Sequence, residues 1–273
     1  MKLKNLFLMM ISVTLTTGCA TRFQQNEAQI LTYSDNSIWA NEIRQTADKT
    51  FLYSLLAENV YIRDDFNLPQ TIELLDDVQN DDVGMAYNVY KNTNPSLEND
   101  GVYEIIIVFR GSEPNWLDWI TGNALGKQLP RALDVYDDIK SNHPEGTKIA
   151  VTGHSLGGSL ATQISLCHRV EASVSFNTSP RFKSKLCAPN TVILGKNNRY
   201  SIVERGEFLK ATRIFGREAT QLYTSIDCSK FGPIGDHSMQ RLATCLTIIA
   251  SENPSSGADE IIKLNPQVFK IVN

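Results

Sequence analysis

The chain has 273 residues, of which 42% are hydrophobic, so it is long enough to bury a substantial core, most simply as one domain. Its net charge is −4 and no basic run follows the first residues, which argues against tight nucleic-acid binding, because phosphates are neutralised by clustered Lys and Arg. No Cys/His spacing typical of a metal site is present, and no organic cofactor is implied.

The N-terminal segment has the pattern of an export signal. Lys2 and Lys4 precede an almost unbroken apolar stretch at 6–15, which is too short to span a bilayer comfortably. It ends in Thr-Thr-Gly-Cys, which resembles the lipobox of bacterial lipoproteins and implies cleavage before Cys19 and lipid attachment to that cysteine. We therefore expect a signal peptide at 1–18, a polar tether at 19–36 and a protein anchored by lipid in the cell envelope. By the same resemblance, Ala20 implies the outer membrane. An ordinary signal peptide with a chance cysteine is the alternative.

Residues 37–273 alternate between helical and strand patterns. Apolar residues at helical spacing predict a helix over 37–59. The run at 105–109 is apolar without alternation, which is typical of a strand covered on both faces. Further elements are predicted in chain order: strands over 83–90 and 102–110, one or two helices over 115–142 broken near Pro130, a strand over 148–152, a helix over 159–170, and strands over 172–176 and 199–203. This order predicts an α/β fold with a mostly parallel sheet and helices on both faces.

A candidate nucleophile lies between a predicted strand and a helix. The sequence Gly-His-Ser-Leu-Gly at 153–157 fits the G-x-S-x-G nucleophile elbow, in which side chains at both glycine positions would collide across the sharp turn. The pattern alone also occurs in structural turns. Its position after an apolar strand and before a small-residue helix favours Ser155 as a nucleophile.

A serine nucleophile needs a base, and in this architecture the base follows the serine in the chain. The chain has four histidines. His143 precedes the serine, His154 lies inside the elbow, where we expect it to point away from the serine, and His168 is late on the elbow helix. His237, in a glycine-bearing loop before a helix, is left as the candidate base.

The acid that orients the base is less well determined. It should follow a strand that comes after the elbow helix, and the predicted strand at 199–203 leads into Glu-Arg-Gly-Glu at 204–207. We expect Glu207 to be the acid, with Glu204 second and Asp227 third. Asp236 adjoins the candidate base and is an awkward partner for its ring. A solvated charge pair beside Arg205 is the alternative interpretation.

An oxyanion in the reaction needs two hydrogen-bond donors. One is the backbone N–H of Leu156, which follows the nucleophile at the start of a helix. The other should come from the loop after an earlier strand. Ser112, just after the apolar strand that ends at Phe109, has both an amide and a hydroxyl to donate.

Four cysteines remain after Cys19, and an even number in an exported chain suggests disulfides. Four cysteines allow three sets of pairings. Nearness in the chain favours Cys167–Cys187 and Cys228–Cys245, and four buried free thiols are the alternative.

Several segments together resemble the class 3 lipase family, the fungal and plant triacylglycerol-lipase type of α/β-hydrolase. They are IVFRGSEPNWLDWITGN, KIAVTGHSLGGSLATQIS, SFNTSPRF and HSMQRL, within residues 83–245. The resemblance implies a serine hydrolase of acyl esters with the oxyanion residue at Ser112, the nucleophile at Ser155 and the base at His237. The family's acid is usually an aspartate, and Glu207 stands at that position here. Trp116, Trp119 and their neighbours form either an apolar lid or the buried face of a helix.

We therefore expect hydrolysis of lipid esters, of the lipase or phospholipase type, through an acyl-enzyme. The expected partners are a lipid ester substrate and, through Cys19, a membrane. Two alternatives stay open: an acyltransferase with the same nucleophile, and a non-catalytic envelope lipoprotein that uses the fold as a binding module.

Overall fold

The computed structural model describes residues 24–26, 41–61, 65–93, 103–111, 123–179, 186–187, 199–206, 209, 222–226, 228 and 237–269. Strands and helices alternate strictly between residues 104 and 176. The strands are β1 (Gln24–Asn26), β2 (Ile72–Val78), β3 (Tyr87–Asn92), β4 (Glu104–Phe109), β5 (Lys148–His154), β6 (Ser173–Phe176), β7 (Arg199–Glu204) and β8 (Leu222–Ile226). The helices are α1 (Asn41–Asn59), α2 (Asn123–Ser141), α3 (Leu156–Cys167), α4 (Met239–Ser251), α5 (Ala258–Leu264) and α6 (Pro266–Phe269).

The strands form one sheet of eight strands in the order β1-β8-β7-β6-β5-β4-β3-β2. Neighbouring strands are parallel from β1 to β4 in this order. The strand β3 pairs antiparallel with both β4 and β2. In the β4–β5 ladder, Phe109 is opposite Gly153. The carboxyl end of β4 therefore lies beside the turn that follows β5.

Helices cover both faces of this sheet. On one face α1, α4 and α5 pack over a buried cluster that includes Ile106, Val108 and Phe176. On the other face α2 and α3 pack over the alternate residues of the same strands, among them Ile107 and Val151. Residues 105–109 are fully buried, as expected for a strand enclosed on both sides. The arrangement confirms the predicted α/β fold with a mostly parallel sheet and helices on both faces.

Some predicted elements have different bounds in the structure. The break expected near Pro130 is wrong, because α2 continues through this proline. Its apolar side, which includes Leu129, Ala132 and Tyr136, is buried against the sheet and α3. This burial maintains the helix despite the missing backbone N–H of proline. The elbow helix begins at Leu156 rather than 159 and ends at Cys167 rather than 170.

Three of the described strands, β1, β2 and β8, lie where the sequence pattern gave no strand prediction. The edge strand β2 reads IELLDDV and exposes 42% of Leu75. Its polar content hides the strand pattern. Gln24–Asn26 lie in the segment expected to be a tether, and they pair with Leu222–Thr224. The predicted strand over 83–90 is shifted, because β3 begins only at Tyr87.

Among the described helices, none combines the length and the apolar character that crossing a membrane requires.

Candidate active site

Ser155 occupies a single-residue turn between β5 and α3. Its backbone angles are φ 55° and ψ −114°, which is a region that non-glycine residues rarely adopt. The strained turn is held from both sides, since the Ser155 N–H donates to the Phe176 carbonyl at 2.9 Å and the Ser155 carbonyl accepts from the Ser179 N–H at 3.0 Å. Ser155 is half-buried rather than enclosed. The turn and the sheet together confirm the expected α/β-hydrolase fold.

The two glycines of the elbow are required by close backbone contacts. A Cβ atom on Gly157 would overlap the carbonyl of Phe109 at the end of β4. A Cβ atom on Gly153 would lie 2.5 Å from the carbonyl carbon of Gly157 and 2.7 Å from the Phe109 oxygen. Gly158 is similarly restricted, because its Cβ would lie 2.7 Å from the Thr178 hydroxyl oxygen. The crowding inferred from the sequence is therefore present, and it involves β4 as well as the elbow itself.

The start of α3 lies directly after Ser155. Leu156 is the first residue of this helix and is buried, and a first-turn N–H has no acceptor within its own helix. Such an N–H can donate to an oxyanion beside the serine. Ser112, the second expected donor, lies outside the described residues. Its neighbour Gly111 is described, and a Cβ atom there would lie 3.1 Å from Ser155 Cβ. The backbone that leads to Ser112 therefore passes beside the nucleophile.

His237 lies next to the elbow. Its ring centroid is 4.5 Å from the ring centroid of His154, the residue that directly precedes Ser155. His237 is half-buried and stands just before Ser238, whose hydroxyl accepts from the Arg241 N–H at the start of α4. The predicted base thus lies beside the residue that precedes the predicted nucleophile, and the roles of Ser155 and His237 stay a prediction. The ring of His154 lies against the predicted base rather than in a region remote from the site.

Of the three candidate acids, Glu204 alone is among the described residues. Glu207 and Asp227 lie outside the described residues. Glu204 ends β7 and is 2% exposed. Its carboxylate accepts from the Cys228 N–H at 2.6 Å, and its own N–H donates to the Asn177 side-chain oxygen at 2.7 Å. Glu204 thus links β7, the loop after β6 and the segment after β8 at the carboxyl edge of the sheet. The choice among the three carboxylates stays a prediction.

Both expected disulfides are present, Cys167–Cys187 and Cys228–Cys245. The predicted pairing is therefore confirmed. The second bridge joins the segment after β8 to α4, and the segment between its two cysteines contains His237. It therefore limits how far the loop with the predicted base can move from the sheet.

Two residues of the site were not identified from the sequence. Tyr61 follows α1, and its hydroxyl lies 2.9 Å from the Gly111 nitrogen and 3.1 Å from His154 Nδ1. Its ring meets that of His154 edge-on, with centroids 5.8 Å apart. A tyrosine just beyond a predicted helix has no sequence signal that would connect it with an elbow 93 positions later. His154 was visible in the motif, but its contact with His237 depends on the fold. Within the described residues, no group of three or more His, Cys, Asp or Glu side chains is arranged to hold a metal ion.

Residues 53–181 match the family model of the Tle-like phospholipase domain, a phospholipase-like family. The matched segment runs from the second half of α1 to just beyond β6, and it includes Tyr61, Gly111 and the whole elbow. This match agrees with the resemblance to lipases seen in the sequence. His237 lies beyond the matched residues. No curated protein matches the chain.

Solved structures of lipases and esterases resemble the chain over part of its length. A fungal lipase–inhibitor complex has 17% identity and a TM-score of 0.44, covering 61% of this chain and 74% of that chain. A Rhizomucor miehei lipase propeptide complex has 18% identity and a TM-score of 0.44, covering 66% of this chain and 67% of that chain. Esterase B from Lactobacillus rhamnosis has 12% identity and a TM-score of 0.39, covering 85% of this chain and 97% of that chain.

Proposed function

We propose that the protein is a serine hydrolase that cleaves carboxylic esters of lipids through an acyl-enzyme on Ser155. The observation that carries this proposal is the strained turn at Ser155, with the ring of His237 packed against the residue that precedes it. A backbone strained in this way is maintained only where the surrounding contacts enforce it, which is characteristic of functional sites. The match of residues 53–181 to a phospholipase-like family supports a lipid ester as substrate.

The proposed reaction has two steps. His237 takes the proton of the Ser155 hydroxyl as its oxygen attacks the ester carbonyl carbon, and the negative charge on the carbonyl oxygen is stabilised by the N–H of Leu156 and by Ser112. When the ester bond breaks, His237 returns the proton to the leaving alcohol and the acyl group stays on Ser155. Water then attacks the acyl-enzyme in the same way and releases the acid. Glu207 holds the imidazole, with Glu204 and Asp227 as the other candidates.

The substrate class that we propose is a phospholipid or lysophospholipid. The family match supports a phospholipase-type substrate, and lipidation of Cys19 would keep the protein at a membrane surface that consists of such molecules.

The test uses the full mature chain and a Ser155→Ala variant. We expect wild-type protein to be labelled by a fluorophosphonate and to release fatty acid from phosphatidylcholine vesicles, and Ser155→Ala to lose both. Ser141→Ala is the matched control, because Ser141 is an exposed residue at the end of α2 and should leave both unchanged. Labelling without release of acid, with ester formed on an added alcohol, would identify an acyltransferase. No labelling of wild-type protein would favour a binding module and overturn the proposal.

We further propose that the mature chain begins at a lipidated Cys19 and is anchored in the outer membrane. This rests on the two lysines, the apolar stretch and the Gly-Cys pair at the N-terminus. Mass spectrometry of the mature N-terminus should find a diacylglycerol and an acyl chain on this cysteine. Cys19→Ala should leave the protein unprocessed. A mature N-terminus without lipid would contradict the anchor and leave the hydrolase proposal intact.

A further inference from the structure

The hydroxyl of Tyr61 contacts two different parts of the site. Tyr61 is half-buried and lies just beyond the end of α1, and its own N–H donates to the Glu58 carbonyl at 2.8 Å, which fixes the backbone there. Its hydroxyl oxygen accepts from the Gly111 N–H at 2.9 Å, and it also lies 3.1 Å from His154 Nδ1. One oxygen atom therefore connects α1 with the loop after β4 and with the elbow.

Both contacted groups are adjacent to reacting groups. Gly111 directly precedes Ser112, the expected oxyanion donor, and a Cβ atom on this glycine would lie 3.1 Å from Ser155 Cβ. His154 directly precedes Ser155, and its ring is packed against that of His237. A shift of the tyrosine hydroxyl would therefore displace the groups on both sides of the serine.

The Tyr61 hydroxyl can make both contacts at once. Its oxygen accepts the amide hydrogen of Gly111, and it still has its own hydrogen and a second lone pair for the contact with His154 Nδ1. The link between the loop after β4 and the elbow therefore forms whichever of the two groups donates at His154.

We propose that Tyr61 is a positioning residue for the reaction, a role that rests on the hydrolase function proposed above. It holds the loop that leads to the oxyanion donor at a fixed distance from Ser155, and it holds His154 in place against His237. It acts through these residues and not on the substrate. Its removal should slow the chemical step and leave substrate affinity nearly unchanged.

The test compares two Tyr→Phe variants, one just after α1 and one within it. Tyr61→Phe removes the hydroxyl at the site. Tyr53→Phe removes a hydroxyl that donates to Glu104 at 2.9 Å, and Glu104 is at the start of β4, the opposite edge of the sheet. Active sites are counted by titration with a fluorophosphonate, and kcat is expressed per labelled site. This normalisation separates positioning from a loss of folded protein.

We expect Tyr61→Phe to lower kcat per labelled site about tenfold, with KM changed less than about twofold, because a hydrogen bond of this kind contributes about tenfold to an equilibrium or a rate. Tyr53→Phe should keep the wild-type kcat per site. An unchanged kcat per site in Tyr61→Phe would overturn the inference and leave the hydrolase proposal standing. If wild-type protein is not labelled at all, the proposed function itself fails.

A second variant tests the same contact from its other end. His154→Phe retains a ring beside His237 and removes the nitrogen that faces the Tyr61 hydroxyl. If both residues act through one hydrogen bond, the double variant should be no more than about threefold slower than the slower single variant, since coupled residues are not additive. Independent effects would multiply, and a double variant slowed by the product of the two single effects would contradict the proposed coupling.

Discussion

Glu58 provides a quantitative test of the packing between α1 and its surroundings. It lies in the last turn of α1 and is 7% exposed. Burial, with a smaller contribution from the nearby Asp65 carboxylate, raises its pKa from 4.5 to about 7. The folded protein therefore binds a proton at Glu58 more tightly than the unfolded chain does. The free energy of unfolding should fall as pH rises from 4.5 to 7 and be constant above that range.

The Glu58→Gln variant keeps the side chain in a form that resembles the protonated acid. A tenfold change in a protonation equilibrium corresponds to about 1.4 kcal/mol, so the shift to about 7 makes the ionised folded state about 3 kcal/mol less stable. At pH 8 Glu58→Gln should therefore be more stable than wild type by up to about 3 kcal/mol. At pH 4.5 the two proteins should differ by less than about 1 kcal/mol.

The assay is urea unfolding at pH 4.5 and 8 with both disulfides intact, followed by far-ultraviolet circular dichroism. Glu73→Gln on β2 is the control, since Glu73 is exposed and the change should be nearly neutral at both pH values. If Glu58→Gln shows the same difference from wild type at pH 4.5 as at pH 8, the carboxyl group is not desolvated as the structure implies.

The elbow and the disulfides give further predictions. Gly157→Ala should abolish fluorophosphonate labelling, because its Cβ would overlap the Phe109 carbonyl, whereas Gly126→Ala in α2, with no atom within 4 Å of the added Cβ, should be neutral or stabilising by about 0.5–1 kcal/mol. Labelling retained in Gly157→Ala would show that β4 and the elbow are not in close contact. Replacing the Cys228–Cys245 bridge by two serines should cost about 3 kcal/mol of stability in urea unfolding and also lower kcat per labelled site, because the predicted base lies within that loop. Replacing Cys167–Cys187 should cost a similar stability and leave kcat per site unchanged, and the reverse pattern would contradict this assignment.

Elements with strong local patterns were predictable from the sequence. The unbroken apolar run at 105–109 predicted a central strand because a parallel strand covered on both faces excludes polar residues. The two glycines around Ser155 predicted the turn because the backbones there approach too closely for side chains. Both disulfides were predictable from chain nearness, since short loops favour pairing of neighbouring cysteines.

Elements whose formation depends on distant partners were not predictable. The strand β2 contains polar residues and forms because β3 offers an edge, and α2 passes through Pro130 because its apolar side is buried. The three-residue β1 depends entirely on pairing with β8. In each case a tertiary contact outweighs a weak or contrary local preference.

By itself the sequence determined the sharp turn at Ser155, because the elbow is a local arrangement of five adjacent residues. Only the tertiary structure decided which other groups surround that serine. Tyr61 and His154 are 93 positions apart, and their contact exists because α1 packs across the sheet and ends at the carboxyl edge of β4 and β5. No local pattern specifies which loops meet at that edge, since their meeting depends on helix packing and strand order over the whole fold.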